Sequence, residues 1–329
     1  MIINFVGTFQ SGYVGEVADE THIARELEAL GHTVRRIPRD AWREYVIEDF
    51  PEGKYDVPTE LKADINLIAK WHHFTDERFI NALREKSGGP VFYWVWDYMY
   101  SGGIPDWHLR MARAADLYLT NEGGLFEEYK KEKVTPYYFP FDVADGDLPR
   151  YQIPEKKYEV TFFGSYLGQG ERIKYMDYIK KYHNVKIFSW NYEDWKKQGY
   201  DAEPAVYGQE FNEKVAQSKI ILGFSVEPNS WGYWSNRVGK VLTAGGFLLY
   251  QYAPGMELFL EDGAEYFSSP EEAVEKIDHY LIADNERELT AQKGRILGDR
   301  FTSKARVKQL TILMDRYLKG DPKLWNSLP

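Results

Sequence analysis

The chain of 329 residues contains no cysteine. Disulfide staples, thiolate nucleophiles and cysteine-ligated metal centres are therefore excluded. Positive charge is also in short supply: 41 Lys and Arg stand against 51 Asp and Glu, a net charge of −10. That balance argues against non-specific binding to a polyanion, although a local basic groove is compatible with it. No apolar run approaches membrane-spanning length, and the sequence enters an apolar stretch at Ile2 without a basic leader. The expectation is a soluble cytoplasmic protein with no transmembrane segment. Metal-ligand spacing is scarce too. His72 and His73 are adjacent and would point apart on one element, and Asp145-Gly146-Asp147 falls in a turn-like linker, so no metal site is expected. The dinucleotide fingerprint is missing as well, since the first loop carries Gly7, Gly12 and Gly15 and no acidic residue ends the second strand.

What the sequence has in quantity is aromatic surface: 16% of residues, with 10 Trp and 25 Tyr. Sugar stacking uses such residues, and so do cores and interfaces. The length suffices for two domains that each bury a core. Residues 2–6 read as a strand, followed by a glycine-bearing loop. An amphipathic helix over 20–30 ends at Gly31, and 33–37 form the next strand, a βαβ opening. Further strands are expected over 62–69, 90–96 and 117–120. Residues 145–157 are polar and proline-bearing, as a linker is. The same device then repeats: a strand over 158–163, Gly164, Ser165, Gly168 and Gly170, and a helix with Arg172 near its start. Two Rossmann-like domains are the economical reading. The expected division is 1–150, 151–305, and a C-terminal helix and tail over 306–329.

Residues 220–260 concentrate the chemistry. An apolar run over 220–226 suits a buried parallel strand, and Pro228, Asn229, Ser230 and Gly232 break it into a loop. Ser235 or Asn236 caps a helix that Gly245-Gly246 ends. A loop opening a helix just past a strand's carboxyl end is where α/β proteins hold anions. Arg237, at the start of that helix, adds a planar fork of donors. The stretch reads as a phosphate site.

S-N-R-V-G-K-V-L-T-A-G-G-F-L-L, residues 235–249, resembles the S-x-R-x-x-E-x-x-x-x-G-x-x-x-L segment of GT-B glycosyltransferases. It is most similar to the glycosyltransferase-like group that includes spore-maturation proteins. The resemblance extends through P-G-M-E-L-F-L-E-D-G-A-E-Y-F (254–267) and the helix after it. It also covers the first loop, N-E-G-G at 121–124, Y-Y-F-P-F-D-V at 137–143, and Arg300-Phe301-Thr302 where the family has His-Thr-Tyr. It implies an α/β GT-B fold: two Rossmann-like domains facing each other across a cleft, with the C-terminal helix crossing back to the first. It implies a glycosyltransferase moving a sugar from a nucleoside-diphosphate sugar to a glycan or other hydroxyl-bearing acceptor. No cofactor or metal would be required. A UDP-sugar is favoured as donor, with a GDP-sugar possible, and retention is favoured over inversion.

The resemblance, together with the place of each residue along the chain, suggests roles for individual residues. Arg237 would stabilise the departing diphosphate, with Ser235 and Asn236 beside it. Gly164 and Ser165 would approach the donor phosphates, which Arg172 would neutralise unless it is a solvated helix charge. Gly7 and Gly12 would face the cleft. Lys240 stands where the family has a glutamate that holds the donor ribose, a departure that bears on donor type. Asp97, just past a strand, would serve as a base or sugar contact, or cap a loop. Glu122 would contact the acceptor or N-cap a helix. Trp190 would stack on the nucleobase, or join Tyr192 and Trp195 in a packed aromatic corner. Trp231, Tyr233 and Trp234 are expected as a sugar platform, being too bulky and crowded to be buried together. Two other classes remain: a GT-B-shaped binding protein without catalysis, which Lys240 allows, and a nucleic-acid base glucosyltransferase, which the acidic balance disfavours.

Overall fold

The computed structural model describes residues 1–9, 18–38, 61–70, 77–96, 103–140, 155–168 and 170–321. The chain divides into two units, residues 1–141 with 306–329, and residues 142–305. In the first unit the order is β1 (Ile2–Gly7), α1 (Asp19–Ala29), β2 (Thr33–Pro38), β3 (Ile65–Ala69), α2 (Glu77–Ser87), β4 (Val91–Val95), α3 (Asp106–Ala114), β5 (Leu117–Thr120), α4 (Phe126–Lys131) and β6 (Pro136–Tyr138). These strands form one parallel sheet of six, ordered β2-β1-β3-β4-β5-β6. All five residues of β3 and of β4 are buried, as expected of parallel strands covered on both faces, and β4 reads in sequence as a continuous apolar run. One polar pair crosses this interior: Asn4 Nδ2 donates to Asn66 Oδ1 at 2.9 Å, and Asn66 Nδ2 donates to Ser87 Oγ at 2.7 Å. Burial strengthens such bonds and ties β1, β3 and the end of α2 into one register.

The second unit runs β7 (Tyr158–Phe163), α5 (Glu171–Ile179), β8 (Val185–Ser189), α6 (Tyr192–Lys197), β9 (Asp201–Pro204), α7 (Gly208–Ala216), β10 (Ser218–Gly223), α8 (Arg237–Ala244), β11 (Leu248–Gln251), α9 (Met256–Leu260), β12 (Glu265–Phe267), α10 (Pro270–Ile282) and α11 (Asp284–Gly298). Its six strands are again all parallel, in the order β12-β11-β10-β7-β8-β9. One face buries Met176, Ile179, Trp195 and Ile277, and the other buries Val215, Val238, Leu242 and Leu260. The chain then returns to the first unit through α12 (Ser303–Leu318). Tyr317 meets Phe92 of β4 edge-on at 5.0 Å, and Arg306 lies 5.4 Å over the Phe139 ring.

The helix expected after the phosphate loop is α8. It ends where Gly245 takes φ +80, a left-handed value that glycine adopts without strain. Glycines also let α11 lie directly against it. A Cβ on Gly294 would come within 2.3 Å of the Gly263 carbonyl and 2.9 Å of Leu242, and one on Gly298 within 2.8 Å of the Thr243 amide. Gly294→Ala is therefore expected to destabilise the protein by about 1–3 kcal/mol through overpacking, against the gain of roughly 1 kcal/mol that alanine normally brings to a helix. Urea unfolding measures the balance; a more stable variant would show that α11 does not press on the 263 turn.

Two sequence expectations meet a different structure. Tyr233 and Trp234 are 6% and 3% exposed, so they are core residues rather than a platform at a site mouth. Trp234 packs on Phe259 at 4.8 Å, with Trp231 on the same ring at 6.4 Å. Gly255 makes the room, since a Cβ there would meet the Trp231 indole at 2.8 Å. The aromatic corner after β8 splits in two: Trp195 is fully buried and Trp190 is 71% exposed.

Candidate functional site

In an open parallel sheet, ligands bind beyond the carboxyl ends of the strands where the strand order reverses. In the second unit that point lies between β7 and β10. A shallow pocket, open to solvent, occupies it, lined by Phe163, Gly223, Ser235, Arg237 and Tyr250 among others.

Two glycines at the strand ends set its shape. A Cβ on Gly223 would sit 2.1 Å from the Tyr250 ring, so glycine lets that ring lie across the end of β10. The Tyr250 hydroxyl then accepts from the Ser235 amide at 3.2 Å. Ser235 Oγ in turn accepts from Arg237 Nη1 at 2.9 Å. Ring, serine and guanidinium thus form a chain that holds Arg237 at the first turn of α8, where helix N–H groups and the dipole favour an anion. Asn236 is the residue before the helix, and its side chain makes no cap bond. On the neighbouring strand, a Cβ on Gly164 would come within 2.4 Å of the Phe162 ring. Glycine there admits the ring, and the Arg172 guanidinium lies 5.7 Å over it. Gly164 has a packing role of its own, its carbonyl accepting from Trp195 Nε1 at 3.0 Å.

Arg172 is the unusual group. It is 8% exposed, Nη1 donates to the Ser165 carbonyl at 3.2 Å, and Nε has no hydrogen-bond partner. Among the described residues no carboxylate pairs with it. Arg287, equally buried, is by contrast held by Asp284 and the Tyr280 carbonyl. Burial first, and then the like charge of Arg237, lower the Arg172 pKa to about 10. The arrangement is a pair of guanidinium groups repelling each other at the carboxyl edge of a sheet, one of them desolvated. An anion between them relieves both costs, and a diphosphate presents the oxygens that guanidinium forks bind.

Lys240, three residues into α8 from Arg237, is half-buried and does not line the pocket. Trp190, at the end of β8, donates from Nε1 to Ser165 Oγ at 2.5 Å. Asn191 accepts from the Tyr166 amide at 2.9 Å and donates to its carbonyl at 2.8 Å, fastening the two loops together. The indole is thereby displayed on the same edge as the arginines. Sequence reasoning did not single out Phe162, Gly223 or Tyr250, which position the arginines only through tertiary contact.

In the first unit, Gly7 ends β1, while Gly12 and Asp97 lie outside the described residues, as do His72 and His73. Glu122 is fully buried, and its Oε2 accepts from the Tyr129 hydroxyl at 2.7 Å. Its side chain makes no cap bond to the 3-10 turn that follows, Gly123–Leu125. The carboxylate instead ends an internal network in which Tyr118 donates to Tyr129 at 2.8 Å and His108 bonds Tyr118 at 2.9 Å and Tyr93 at 3.2 Å. Burial, with the charge of Glu122 adding to it, raises the three tyrosine pKa values well above their usual range. Among the described residues no group of three His, Asp or Glu side chains is placed to hold a metal ion, and no helix is long and apolar enough to cross a membrane.

Two parallel six-stranded Rossmann-like units are the GT-B architecture. Residues 155–311, which span nearly all of the second unit, match the family described as "Glycosyl transferase-like". No curated protein sequence matches the chain. Among solved structures, sucrose-phosphate synthase from Thermosynechococcus elongatus aligns over 97% of this chain and 100% of its own, with 10% identity and a TM-score of 0.66. HepE of Anabaena, solved with UDP-glucose, aligns over 96% of this chain and 99% of its own, with 12% identity and a TM-score of 0.65. An alpha-glucosyltransferase solved with UDP-glucose and DNA containing an abasic site aligns over 95% and 98%, with 12% identity and a TM-score of 0.62. At these identities the likeness establishes the fold.

The buried histidine yields a pH prediction. Burial lowers the His108 pKa from 6.5 to about 3, so the folded protein keeps it neutral where the unfolded chain protonates it. Above pH 6.5 the group contributes nothing to pH dependence. Between about pH 6 and 4 it removes up to about 1.4 kcal/mol of stability per pH unit. His108→Gln keeps a hydrogen-bonding side chain and removes the titration, so unfolding free energy should fall less steeply with acid; an unchanged slope would show that His108 is protonated in the fold.

Proposed function

We propose that this chain is a glycosyltransferase that moves a sugar from a nucleoside-diphosphate sugar, a UDP-sugar in first place, to a hydroxyl-bearing acceptor. The observation that carries the reading is Arg172: a buried guanidinium with no carboxylate partner among the described residues, beside Arg237 at the start of α8. The match of residues 155–311 to a glycosyl transferase-like family supports it, as does the UDP-glucose bound to HepE and to the alpha-glucosyltransferase of the same fold. The S-N-R-V-G-K segment favours the group that includes spore-maturation proteins.

In this reading the donor diphosphate lies against the first turn of α8. As the bond from the anomeric carbon to the diphosphate oxygen breaks, negative charge grows on the leaving group. Arg237, held by Ser235, and Arg172, held by the Ser165 carbonyl, meet that charge without having to reorganise. Preorganised donors of this kind act most strongly where water is excluded. Ser235 and Asn236 present the helix start, and Gly164 with Ser165 carries the adjacent loop. Trp190 offers an exposed ring face for the nucleobase. Lys240 is assigned to donor selection, Gly7 with Gly12 to the acceptor side, and Asp97 to the acceptor hydroxyl. Glu122 receives no substrate role because its carboxylate is fully buried. Two cations already stand at the leaving group, so we take transfer to be metal-independent, with retention preferred on the helix motif.

The test is nucleotide binding and turnover. A nucleotide at a hundred times its dissociation constant should stabilise the fold by about 2.7 kcal/mol, with UDP giving the largest thermal shift among UDP, GDP, dTDP, ADP and CMP and no requirement for magnesium or manganese. Release of UDP from UDP-sugars should fall by about 10²–10³-fold in Arg237→Ala. A shift with no turnover would mark a sugar-nucleotide-binding protein, and no shift with any nucleotide would sink the donor site.

A further inference from the structure

α11 presses on α8 through Gly294 and Gly298, and its opposite face is open to solvent. On that outer face Leu289 is 54% and Ile296 73% exposed. They are seven residues apart, which places them close to one line along the helix. Ile282, just before the helix start, is 84% exposed. Single exposed aliphatic residues are ordinary, whereas a strip of them marks an interaction surface. The charges around the strip fall into two sets. Asp284 is paired with Arg287, Glu286 with His279, Lys293 with Asp262 and Arg300 with Glu261. Glu288 and Arg295 differ: both are exposed, and among the described residues neither makes an ion pair or a side-chain hydrogen bond. They too are seven apart, each one place before an exposed aliphatic residue, so both stand on the same flank of the strip. Two turns of helix, about 10 Å, separate them, beyond the three- or four-residue spacing at which side chains on one helix pair.

We infer that the outer face of α11 binds a second copy of this chain, the two helices lying antiparallel about a twofold axis near Gln292. A twofold contact needs a self-complementary surface, and the spacing here provides one. Antiparallel pairing sets Leu289 against the partner's Ile296 and Glu288 beside the partner's Arg295, and the axis repeats both contacts. Each charge left unpaired in one copy thus meets its opposite in the other. Lys293, on the far flank, approaches its own counterpart with its charge already balanced by Asp262. The mixed charge of the flanks suits a protein partner better than an anionic membrane, which selects a helix with lysines and arginines along its polar face. Fifteen residues make a helix of about 22 Å, so the contact is of the small, dissociable kind. The strip faces away from α8, whose first turn carries Arg237, and the inference does not depend on the donor reading.

Sedimentation velocity of the full chain over a rising concentration series tests it. The average mass should climb from that of one chain toward that of two. Ile296→Glu, at a position exposed in the single chain, should weaken self-association about a hundredfold, because the axis makes the change count twice. Glu288→Arg and Arg295→Glu should each weaken it about tenfold. An equimolar mixture of those two variants should associate again, since every cross pair is then an arginine with a glutamate. That recovery depends on the antiparallel register and does not follow from a general effect on the fold. A wild type that keeps the mass of one chain at every concentration overturns the inference. So does association that survives Ile296→Glu, or a mixture that fails to recover. Binding of a monomeric wild type to phosphatidylserine vesicles, lost in Ile296→Glu, would also overturn it and assign the strip to a membrane.

Discussion

A buried cation with no carboxylate partner among the described residues is the constraint around which the strand ends of the second unit are arranged. The fall in the Arg172 pKa to about 10 corresponds to a cost on the order of 3 kcal/mol. Ordinary packing does not call for that cost, since the same unit pairs its other buried arginine, Arg287, with Asp284. The strand ends around Arg172 are specialised to permit it. Gly164 admits the Phe162 ring beneath the guanidinium, and Gly223 admits Tyr250, whose hydroxyl fixes the serine that holds Arg237. Packing, electrostatics and the chemistry of the pocket therefore point to one class of ligand, an anion with several oxygens.

Both units place polar residues at the reversal of strand order, with opposite character. The second presents arginines beside a helix start. The first presents Glu20, a carboxylate with an unsatisfied oxygen, beside Lys70 at a strained backbone position.

Much of the architecture was legible in the sequence because parallel strands buried on both faces leave continuous apolar runs. Residues 158–163 and 117–120 were read as the strands they form, and the helix carrying Arg237 was read with its glycine stop. β9 was not read. It is Asp-Ala-Glu-Pro at a sheet edge, where polar residues and proline are tolerated, and Lys186 anchors it to Asp201 and Glu203. Arg237 was legible as a phosphate ligand because helix starts advertise themselves locally. Arg172 was left between a phosphate ligand and a solvated helix charge, since burial is a tertiary property. The aromatic run at 231–234 misled for the same reason: Gly255 and Phe259, which bury it, are distant in sequence. Glu20 gave no signal beyond a helix's first turn.

The most direct test is the thermal unfolding of wild type and Arg172→Met, each with and without UDP. Without ligand the variant should be at least as stable as wild type, because it removes a desolvated charge and keeps the apolar stem. UDP should raise the melting temperature of wild type and leave that of the variant nearly unmoved. A variant that is much less stable when empty, or that keeps the full UDP shift, would show that the Arg172 charge serves the fold rather than an anion.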